Sequence, residues 1–253
     1  MNHPASPYRA QRRLDDEALR AAKAAKIVAA LQTAGVATHG RTCLDAGCAQ
    51  GLMTKHLAPH FGHIIGLELD AEAVSRAALL AGEVATFVQG DAEHLPLADD
   101  SLDVVVCAQV YEHVGEPQAL LDEVWRVLKP GVACFFSGPN RLFPFEFHSR
   151  LPLVHWLPFA WTQRLVRWLG RGAAYDARPV TVGTLRRWTW RFTVRDLTVD
   201  MLRHPQRYHC QDEVRGWAWL GRLPEPWLRA ILGLMPNLNW VLLKPRGAAE
   251  AAR

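Results

Sequence analysis

Residues 45–51 form the stretch whose residue types and spacing best fit a ligand site. One carboxylate, Asp45, stands at the head of a turn of small residues that begins at Gly47 and ends at Gly51. A turn without side-chain bulk lets the backbone approach a ligand closely, and the N–H groups at the start of a helix point toward it. The acid at the head of the turn argues against a phosphate ligand and favours a cationic or polyhydroxylated one.

A second acid, Glu68, ends the next apolar stretch, residues 64–67. A carboxylate at the end of such a predicted strand suits the two hydroxyls of a ribose. A glycine-rich turn alone would be weak support for a nucleoside site. The pairing of a strand–turn–helix unit with a strand–acid unit at this spacing is specific.

Further polar residues follow the apolar stretch 102–108, among them Glu112 and His113. His113 is the best general-base candidate, because an unperturbed imidazole titrates near neutrality. The alternative is that Glu112 and His113 only cap the following helix or hold the loop. Glu146 and His148, two residues apart, could supply a second base or orient a substrate, although a histidine near tryptophans is more often structural.

Alternating strands and helices must position these residues. Strands are predicted at 42–44, 64–68, 85–89, 102–108 and 132–136, and helices at 14–31, 52–59, 71–81 and 118–127. This alternation predicts a parallel sheet with helices on both faces. The Lys129–Gly131 stretch is predicted to separate the last of these helices from the fifth strand. A final strand is predicted at 239–244.

The turn resembles motif I of the class I S-adenosylmethionine-dependent methyltransferases, an acid followed by three alternate glycines. This chain has Asp45, Gly47, Ala49 and Gly51 in these places. The methyl group of Ala49 disfavours a positive φ, so we expect a slightly tighter pocket that still binds its ligand. The resemblance covers residues 40–140 and includes Glu68, which matches the ribose-binding acid of the family. Residues 89–93 match the segment in which an Asp reaches the adenine amino group and the next backbone amide reaches a ring nitrogen.

The resemblance implies an α/β, Rossmann-like, doubly wound and mostly parallel seven-stranded sheet, with a helical or loop substrate cap after strand 5. It implies S-adenosyl-L-methionine as cofactor. The expected cofactor-binding residues are Asp45, Gly47, Cys48, Ala49, Gly51, Glu68, Leu69, Asp91, Ala92 and Gln109. The expected catalytic residues are His113, Glu112 and His148. Over the cofactor, the family commonly places an N-terminal helix, so Tyr8 or Arg12 could touch the methionine end.

The Glu112–His113 pair also resembles the quinone-pathway O-methyltransferases, in which an upstream acid joins such a pair to bind a divalent metal. Gln109 occupies the upstream place here, so no metal is expected. In enzymes of this class the sulfonium already favours methyl transfer, and the protein mainly aligns the reactants and removes a proton. The resemblance therefore favours O-methylation of a small or lipid-linked acceptor, with C- or N-methylation of a quinone-like acceptor as the alternative.

Other function classes fit less well. A nicotinamide-dependent oxidoreductase needs G-x-G-x-x-G, which the alternating small residues do not provide. Residues 108–111 lack the Asn/Asp-Pro-Pro-aromatic signature of amino-directed nucleic-acid methyltransferases, so nucleic acid is not expected as a partner. Arginines in residues 186–195 keep an RNA substrate open as an alternative. A non-catalytic module that only binds the cofactor is a further one.

The two halves of the chain differ in charge. Residues 1–130 contain 11 Lys/Arg and 17 Asp/Glu, residues 131–253 contain 18 and 8, and nine of the ten tryptophans lie in the second half. An anionic partner for the second half is one interpretation, and a solvated arginine surface is the other. A helix is predicted over residues 159–171, within the candidate membrane segment 156–171, and its Trp161, Leu165, Trp168 and Leu169 share a face. That face could contact a membrane, or it could pack against the core.

Length and composition suggest one α/β domain with a cap. The expected parts of the 253-residue chain are a cofactor-binding core (1–138), the cap (139–180), the rest of the fold (181–246) and a disordered tail (247–253). No secretory signal or spanning helix is expected, since basic N-terminal residues precede no apolar run. Five cysteines without a C-x-x-C pair predict reduced core thiols in the cytoplasm, with the protein at most peripheral at the inner face of the membrane.

Overall fold

The computed structural model describes residues 17–146, 151–169 and 177–247. Its α-helices are α1 (Glu17–Thr33), α2 (Leu52–Leu57), α3 (Ala71–Ala81), α4 (Pro117–Val127), α5 (Phe159–Trp168), α6 (Val182–Trp188), α7 (Thr198–Arg203), α8 (Gln211–Val214) and α9 (Glu225–Ala230). Its strands are β1 (Thr42–Ala46), β2 (His63–Glu68), β3 (Thr86–Gln89), β4 (Leu102–Ala108), β5 (Leu128–Pro139), β6 (Phe145–Glu146), β7 (Leu151–Pro152), β8 (Thr193–Asp196) and β9 (Asn237–Leu243). Short 3₁₀ helices lie at Ala58–His60, Val154–Trp156, Arg215–Trp217, Leu220–Arg222 and Leu232–Leu234.

Seven strands form one sheet in the order β3-β2-β1-β4-β5-β9-β8. Strands β1 to β5 are parallel, and β9 runs antiparallel between β5 and β8. The predicted doubly wound, mostly parallel seven-stranded sheet is therefore confirmed. The strand order reverses between β1 and β4, and ligands of open α/β sheets bind at the carboxyl ends of the strands beside such a reversal.

Helices cover both faces of the sheet, and successive strand residues alternate between two buried clusters. Cys43 and Val104 face the cluster that holds α1 and α2. Leu44 and Val105 face the cluster that holds α4 and α6. Strands covered on both faces are continuously apolar, which is why β4 has a fully buried run from 102 to 107.

Helix α1 packs on the first face through Ile27, Val28 and Leu31, which follow helical spacing. It continues to Thr33, two residues beyond the prediction. The predicted first turn, residues 14–16, lies outside the described residues, as do Tyr8 and Arg12.

Strand β5 begins earlier than predicted. Leu128 already pairs with Leu102, and the register shifts before Val104. Gly131, at a φ of 82°, absorbs this irregularity while its N–H donates to Lys244 O at 2.8 Å. The Lys129–Gly131 stretch therefore lies inside the strand, although α4 ends at Val127 as predicted.

The segment predicted as the cap, residues 139–180 and here called the cap region, contains the antiparallel pair β6 and β7, a 3₁₀ turn and α5. The buried residues of α5 are Thr162 and Val166, and Thr162 Oγ1 donates to Val154 O at 2.9 Å. Of the two orientations left open for the face with Trp161 and Trp168, the structure has the outward one, because both side chains are exposed to solvent. Helix α5 ends at Trp168, and residues 170–176 lie outside the described residues.

The chain after α6 returns to the sheet through β8 and β9 and builds a small separate core. Its buried members are Val199, Leu202, Leu220, Leu228 and Met235. Phe143 of the cap region packs edge-on against Trp217, with 5.4 Å between ring centroids, so the two segments adjoin. No helix in the described part of the chain is both long enough and apolar enough to cross a membrane. The predicted tail falls mostly on residues 248–253, outside the described ranges.

Candidate active site

The turn between β1 and α2 has three residues in the left-handed region. Gly47, Ala49 and Gly51 have φ values of 69°, 49° and 76°. A Cβ on Gly47 would lie 2.8 Å from Val110 Cγ2, so both the backbone angle and the available space require glycine there. Ala49 thus corrects the expectation that alanine avoids a positive φ, and it does so at a cost of about 1 kcal/mol or more.

Hydrogen bonds from the turn to β2 hold this conformation. The N–H groups of Gly47 and Cys48 donate to Leu67 O at 2.8 and 3.0 Å. The N–H of Ala49 donates to Glu68 Oε2 at 3.0 Å. Glu68 Oε1 accepts from the N–H groups of residues 69 and 70 at 2.9 and 3.2 Å. A carboxylate has about four lone-pair positions, so Glu68 can still accept a hydroxyl.

Asp45 lies beneath the turn and is completely buried. Thr54 Oγ1 donates to its Oδ2 at 2.7 Å, and no described residue forms a hydrogen bond with its Oδ1. Burial raises the pKa of this carboxyl to about 7, although the hydrogen bond from Thr54 opposes the shift. Asp45 therefore supports the turn from behind.

The segment after β3 presents a second carboxylate at the same edge of the sheet. Asp91 Oδ1 accepts from Glu93 N at 2.9 Å, and His94 Nδ1 lies 3.7 Å from Oδ2. Ala92 is buried, whereas Leu69 is exposed beside Gln89, whose Nε2 donates to Leu69 O at 3.2 Å. Asp91 is thus held by its own turn, and its side chain remains 42% exposed.

A cavity of about 240 Å³ lies between the turn, the loop after β4 and α1. Its lining includes six of the predicted site residues, Gly47, Cys48, Ala49, Gln109, Glu112 and His113. The other predicted residues in the described ranges are not part of the lining and lie beneath or beside it. His148 lies outside the described residues.

Helix α1 adds a basic wall whose residues were not among the predicted site residues. Arg20, Lys23 and Lys26 line the cavity, and their spacing of three residues is the signal that could have indicated it. Lys26 Nζ lies 2.7 and 2.9 Å from the two carboxylate oxygens of Glu213. Burial raises the pKa of Glu213, but Lys26 outweighs it and the net shift is downward. The side chain of Glu213 is still about one-third exposed, so solvent weakens this pair.

The loop after β4 brings Glu112 and His113 to the cavity. Gln109 begins the loop at a φ of 61° and donates its N–H to Ser137 O at 2.8 Å. Glu112 is buried, and its Oε1 lies 3.9 Å from His113 Nε2. Tyr111 fixes the loop, since its hydroxyl donates to Pro139 O and accepts from Val180 N at 3.3 Å. The geometry therefore pairs an imidazole with a buried carboxylate at the cavity wall.

All five cysteines are buried. Burial raises the pKa of Cys48, in the turn, well above its ordinary value, and the carboxylates of Asp45 and Glu68 raise it further. A thiol in this state is a poor nucleophile. The described residues contain no group of three or more His, Cys, Asp or Glu arranged to hold a metal ion.

A second depression lies at the opposite, amino edge of the sheet. Its lining residues are Asp99, Asp100, Asp122, Glu123, Trp125, Arg126, Arg191 and Lys244. These charges pair with one another, for example Arg126 with Asp99 at 2.6 Å and Lys244 with Asp100 at 2.7 Å. Arg191, one of the arginines considered for RNA, pairs with Asp122 and stacks on Trp125. This groove is an ion-pair network far from the turn.

The groups at the carboxyl edge fit a nucleoside-containing sulfonium compound. Carboxylate acceptors at the ends of β2 and β3 suit ribose hydroxyls and an adenine amino group, and the small-residue turn leaves room for close backbone approach. Glu112 places a carboxyl group in the same lining as the basic residues Arg20, Lys23 and Lys26, so the cavity offers partners for groups of either charge.

Comparison with known proteins gives the same family. Residues 44–136 match the family model described as a methyltransferase domain. A protein of Mycobacteroides abscessus named uncharacterized methyltransferase is 32% identical over 228 residues, which covers 85% of this chain and 80% of that protein. The ubiquinone biosynthesis O-methyltransferase of Aliivibrio fischeri is 35% identical over 106 residues, which covers 40% of this chain and 45% of that protein.

The solved structures include a methyltransferase with the same fold. The S-adenosylmethionine-dependent methyltransferase of Mesorhizobium loti superposes with a TM-score of 0.57 at 18% identity, covering 85% of this chain and 95% of that one. The motif I turn, the strand order and the relative matched over four-fifths of its length together show that this chain belongs to the class I S-adenosylmethionine-dependent methyltransferases, enzymes that take their methyl group from S-adenosyl-L-methionine.

Proposed function

We propose that this enzyme methylates a hydroxyl oxygen of a small or lipid-linked acceptor, with His113 as the general base. The observation that carries the proposal is that one cavity is lined both by the motif I turn and by the Glu112–His113 pair. The name of the O-methyltransferase relatives supports oxygen as the acceptor atom.

In this proposal the cofactor is held along the carboxyl edge of the sheet. Glu68 would accept from the ribose hydroxyls with lone pairs that its backbone contacts leave. Asp91 Oδ2 would accept from the adenine amino group, and the N–H of Ala92 would reach a ring nitrogen. The backbone of residues 47–51 would lie along the methionine end, supported from below by Asp45.

The protein's own chemical contribution is proton removal and alignment. When bound, the cofactor supplies a methyl group carried on a sulfonium sulfur. The C–S bond breaks as the new C–O bond forms, and the rest of the cofactor leaves as a neutral thioether. His113 would take the proton of the acceptor hydroxyl as that bond forms. The buried Glu112 carboxylate, 3.9 Å away, would stabilise the resulting imidazolium.

The acceptor is best identified by comparing metabolites of a deletion strain and its parent, in search of a lost increment of one methyl group. With that acceptor, His113→Gln should lower kcat by roughly 10²–10⁴-fold while S-adenosylhomocysteine binding is retained. His63→Gln, at the exposed start of β2, is the matched control. Full activity of His113→Gln would remove the general base from the proposal, and a methylated carbon or nitrogen in the product would overturn O-methylation.

The proposal includes peripheral contact with an anionic membrane through the α5 surface, defined here as Trp156, Trp161, Arg164, Arg167 and Trp168. Trp161 and Trp168 are 66% and 81% exposed, and residues 151–169 contain two arginines and no acid. Indole rings at a lipid interface and guanidinium groups at lipid phosphates act together. Trp161→Ala with Trp168→Ala should reduce flotation with anionic vesicles, and full recovery of the unsubstituted protein in the soluble fraction at low salt would overturn this part.

A further inference from the structure

We infer that the C-terminal segment, residues 215–234, forms a second surface for an anionic lipid bilayer, next to the α5 surface. This inference rests on the membrane contact included in the proposed function. The C-terminal surface is defined by its exposed apolar residues, Trp219, Trp227 and Leu234, and by its exposed arginines, Arg215 and Arg222.

The segment has an inner side that is packed in a core and an outer side with exposed apolar residues. Leu220 and Leu228 are buried in the small core with Met235. Their neighbours in sequence point outward instead, and Trp219 and Trp227 are 62% and 68% exposed. Two large aromatic side chains and a leucine are thus exposed on one short segment, and exposed apolar groups concentrated in this way point to an interaction site.

Contacts place this segment beside the cap region. Asn140 Nδ2 donates to Gly233 O at 2.5 Å and to Met235 O at 3.2 Å. On the other side, Trp156 Nε1 donates to Arg141 O at 3.1 Å. The residues that leave the carboxyl end of β5 are therefore flanked by the α5 surface and by the C-terminal surface. Both surfaces lie at the edge of the sheet that holds the active site.

The charges of the segment indicate which partner fits. Residues 215–234 contain three arginines and one acid. That acid, Glu225, already pairs with Arg203 and Arg229, so it does not offset the charge of Arg215 or Arg222. Tryptophan next to arginine is the composition of a membrane interface, where indoles enter the headgroup region and guanidinium groups meet phosphates. A bilayer with anionic headgroups is therefore the partner that we assign.

Trp190 provides a matched control. It is 75% exposed, but it precedes β8, which runs parallel to β1–β5. Trp190 therefore lies at the amino edge of the sheet, opposite both surfaces. A bilayer that contacts the carboxyl edge cannot reach it at the same time.

The test uses a fluorescent label on single introduced cysteines, which is feasible because the native cysteines in the full chain are all buried. Leu234→Cys, Trp161→Cys and Trp190→Cys are labelled with an environment-sensitive dye and mixed with vesicles of equal phosphatidylglycerol and phosphatidylcholine. We expect a blue shift at 234 and 161 and none at 190. In flotation, Trp219→Ala with Trp227→Ala should lower vesicle partitioning by about tenfold, and Arg222→Ala by about fivefold.

The results distinguish failure of this inference from failure of the α5 membrane contact in the proposed function. A blue shift at 161 without one at 234, together with unchanged flotation of the Trp219→Ala, Trp227→Ala protein, would overturn the C-terminal surface and leave the α5 contact standing. No shift at either position would overturn both. An equal shift at 190 would show non-specific adsorption and also overturn the inference. Calorimetry with S-adenosylhomocysteine on every variant confirms that the fold and the cofactor site are intact.

Discussion

The backbone N–H of Ala49 donates to Glu68 Oε2 at 3.0 Å, which links the motif I turn directly to the acid at the end of β2. The same carboxylate accepts two N–H groups from the loop that follows β2 through its other oxygen. Glu68 is therefore both part of the proposed ribose site and the group that joins the two loops between which we propose that the cofactor binds.

Replacing Glu68 with Gln should weaken binding of S-adenosylhomocysteine by about 1.5–3 kcal/mol, because charged hydrogen bonds to the ribose diol become neutral ones. The amide oxygen still accepts from one loop, so the fold should persist. Calorimetry measures the affinity, and thermal unfolding checks the fold. Glu72→Gln, an exposed acid paired with Arg76, is the control and should bind normally. Equal affinities for both variants would exclude a direct ribose contact.

Glycine should be more favourable than alanine at both position 49 and position 47. Ala49→Gly and Gly47→Ala should therefore change the free energy of unfolding in opposite directions. Ala49→Gly relieves a strained left-handed backbone, partly offset by greater freedom of the unfolded chain, so we expect a gain of about 0.5 kcal/mol. Gly47→Ala adds a Cβ 2.8 Å from Val110 Cγ2 and should cost about 1–3 kcal/mol. Chemical denaturation measures both. A loss of stability in Ala49→Gly would show that the methyl group contributes packing that outweighs the strain.

The cysteines should be inert in the folded protein. All five are buried, and burial raises the pKa of Cys43, Cys107 and Cys134 far above the ordinary value and that of Cys210 to about 11. We expect a chromogenic disulfide reagent to modify them only as the protein unfolds. Leu79→Cys, at a leucine that is 91% exposed, should react at once and serves as the positive control. Rapid modification of one native thiol, above all Cys48, would contradict its burial.

The sequence predicts the sheet well because its signals are local. Each local signal is compatible with one kind of element: a buried strand for the apolar stretches 64–67 and 102–108, and a strand-to-helix turn for residues 47–51. Because the strands are parallel, their carboxyl ends lie at one edge of the sheet. The start of β5 was missed because its pairing with Leu102 continues past a proline and a glycine that normally end an element. Whether Trp161 faces solvent or the core was left open, because helical spacing gives a face and not the side on which the core lies.

In the candidate site as well, the features that follow from local sequence were predictable, and those that depend on distant contacts were not. Glu68 and His113 follow predicted strands, so their approach to one edge could be expected. The contact of Lys26 with Glu213 joins residues 187 positions apart and depends on how the C-terminal helices pack, which no local pattern encodes. The positive φ of Ala49 likewise depends on distant contacts. Its N–H forms a hydrogen bond with Glu68, and the N–H groups of Gly47 and Cys48 form hydrogen bonds with Leu67 of β2, so these bonds hold the turn.

Asp45 gives the protein a specific dependence of stability on pH. Burial raises its folded-state pKa from about 4 to about 7, so the folded protein keeps a proton that the unfolded chain loses between these values. The free energy of unfolding should therefore fall relative to that of Asp45→Asn as pH rises from about 4 to 7, and level off above. The difference should reach at most about 4 kcal/mol.

Denaturation of both proteins at pH 5, 6, 7 and 8 measures this difference. Asp103→Asn is the control of opposite sign. Burial raises the pKa of Asp103, but the Thr42 N–H and Lys129 outweigh it and lower the pKa below its ordinary value. The stability that Asp103 contributes is therefore complete above the ordinary carboxyl pKa and is lost only in more acidic solution, so its difference should be constant from pH 5 to 8. A constant difference for Asp45→Asn as well would show that Asp45 is ionised throughout, held by charge in the α1 wall or by donors within the turn.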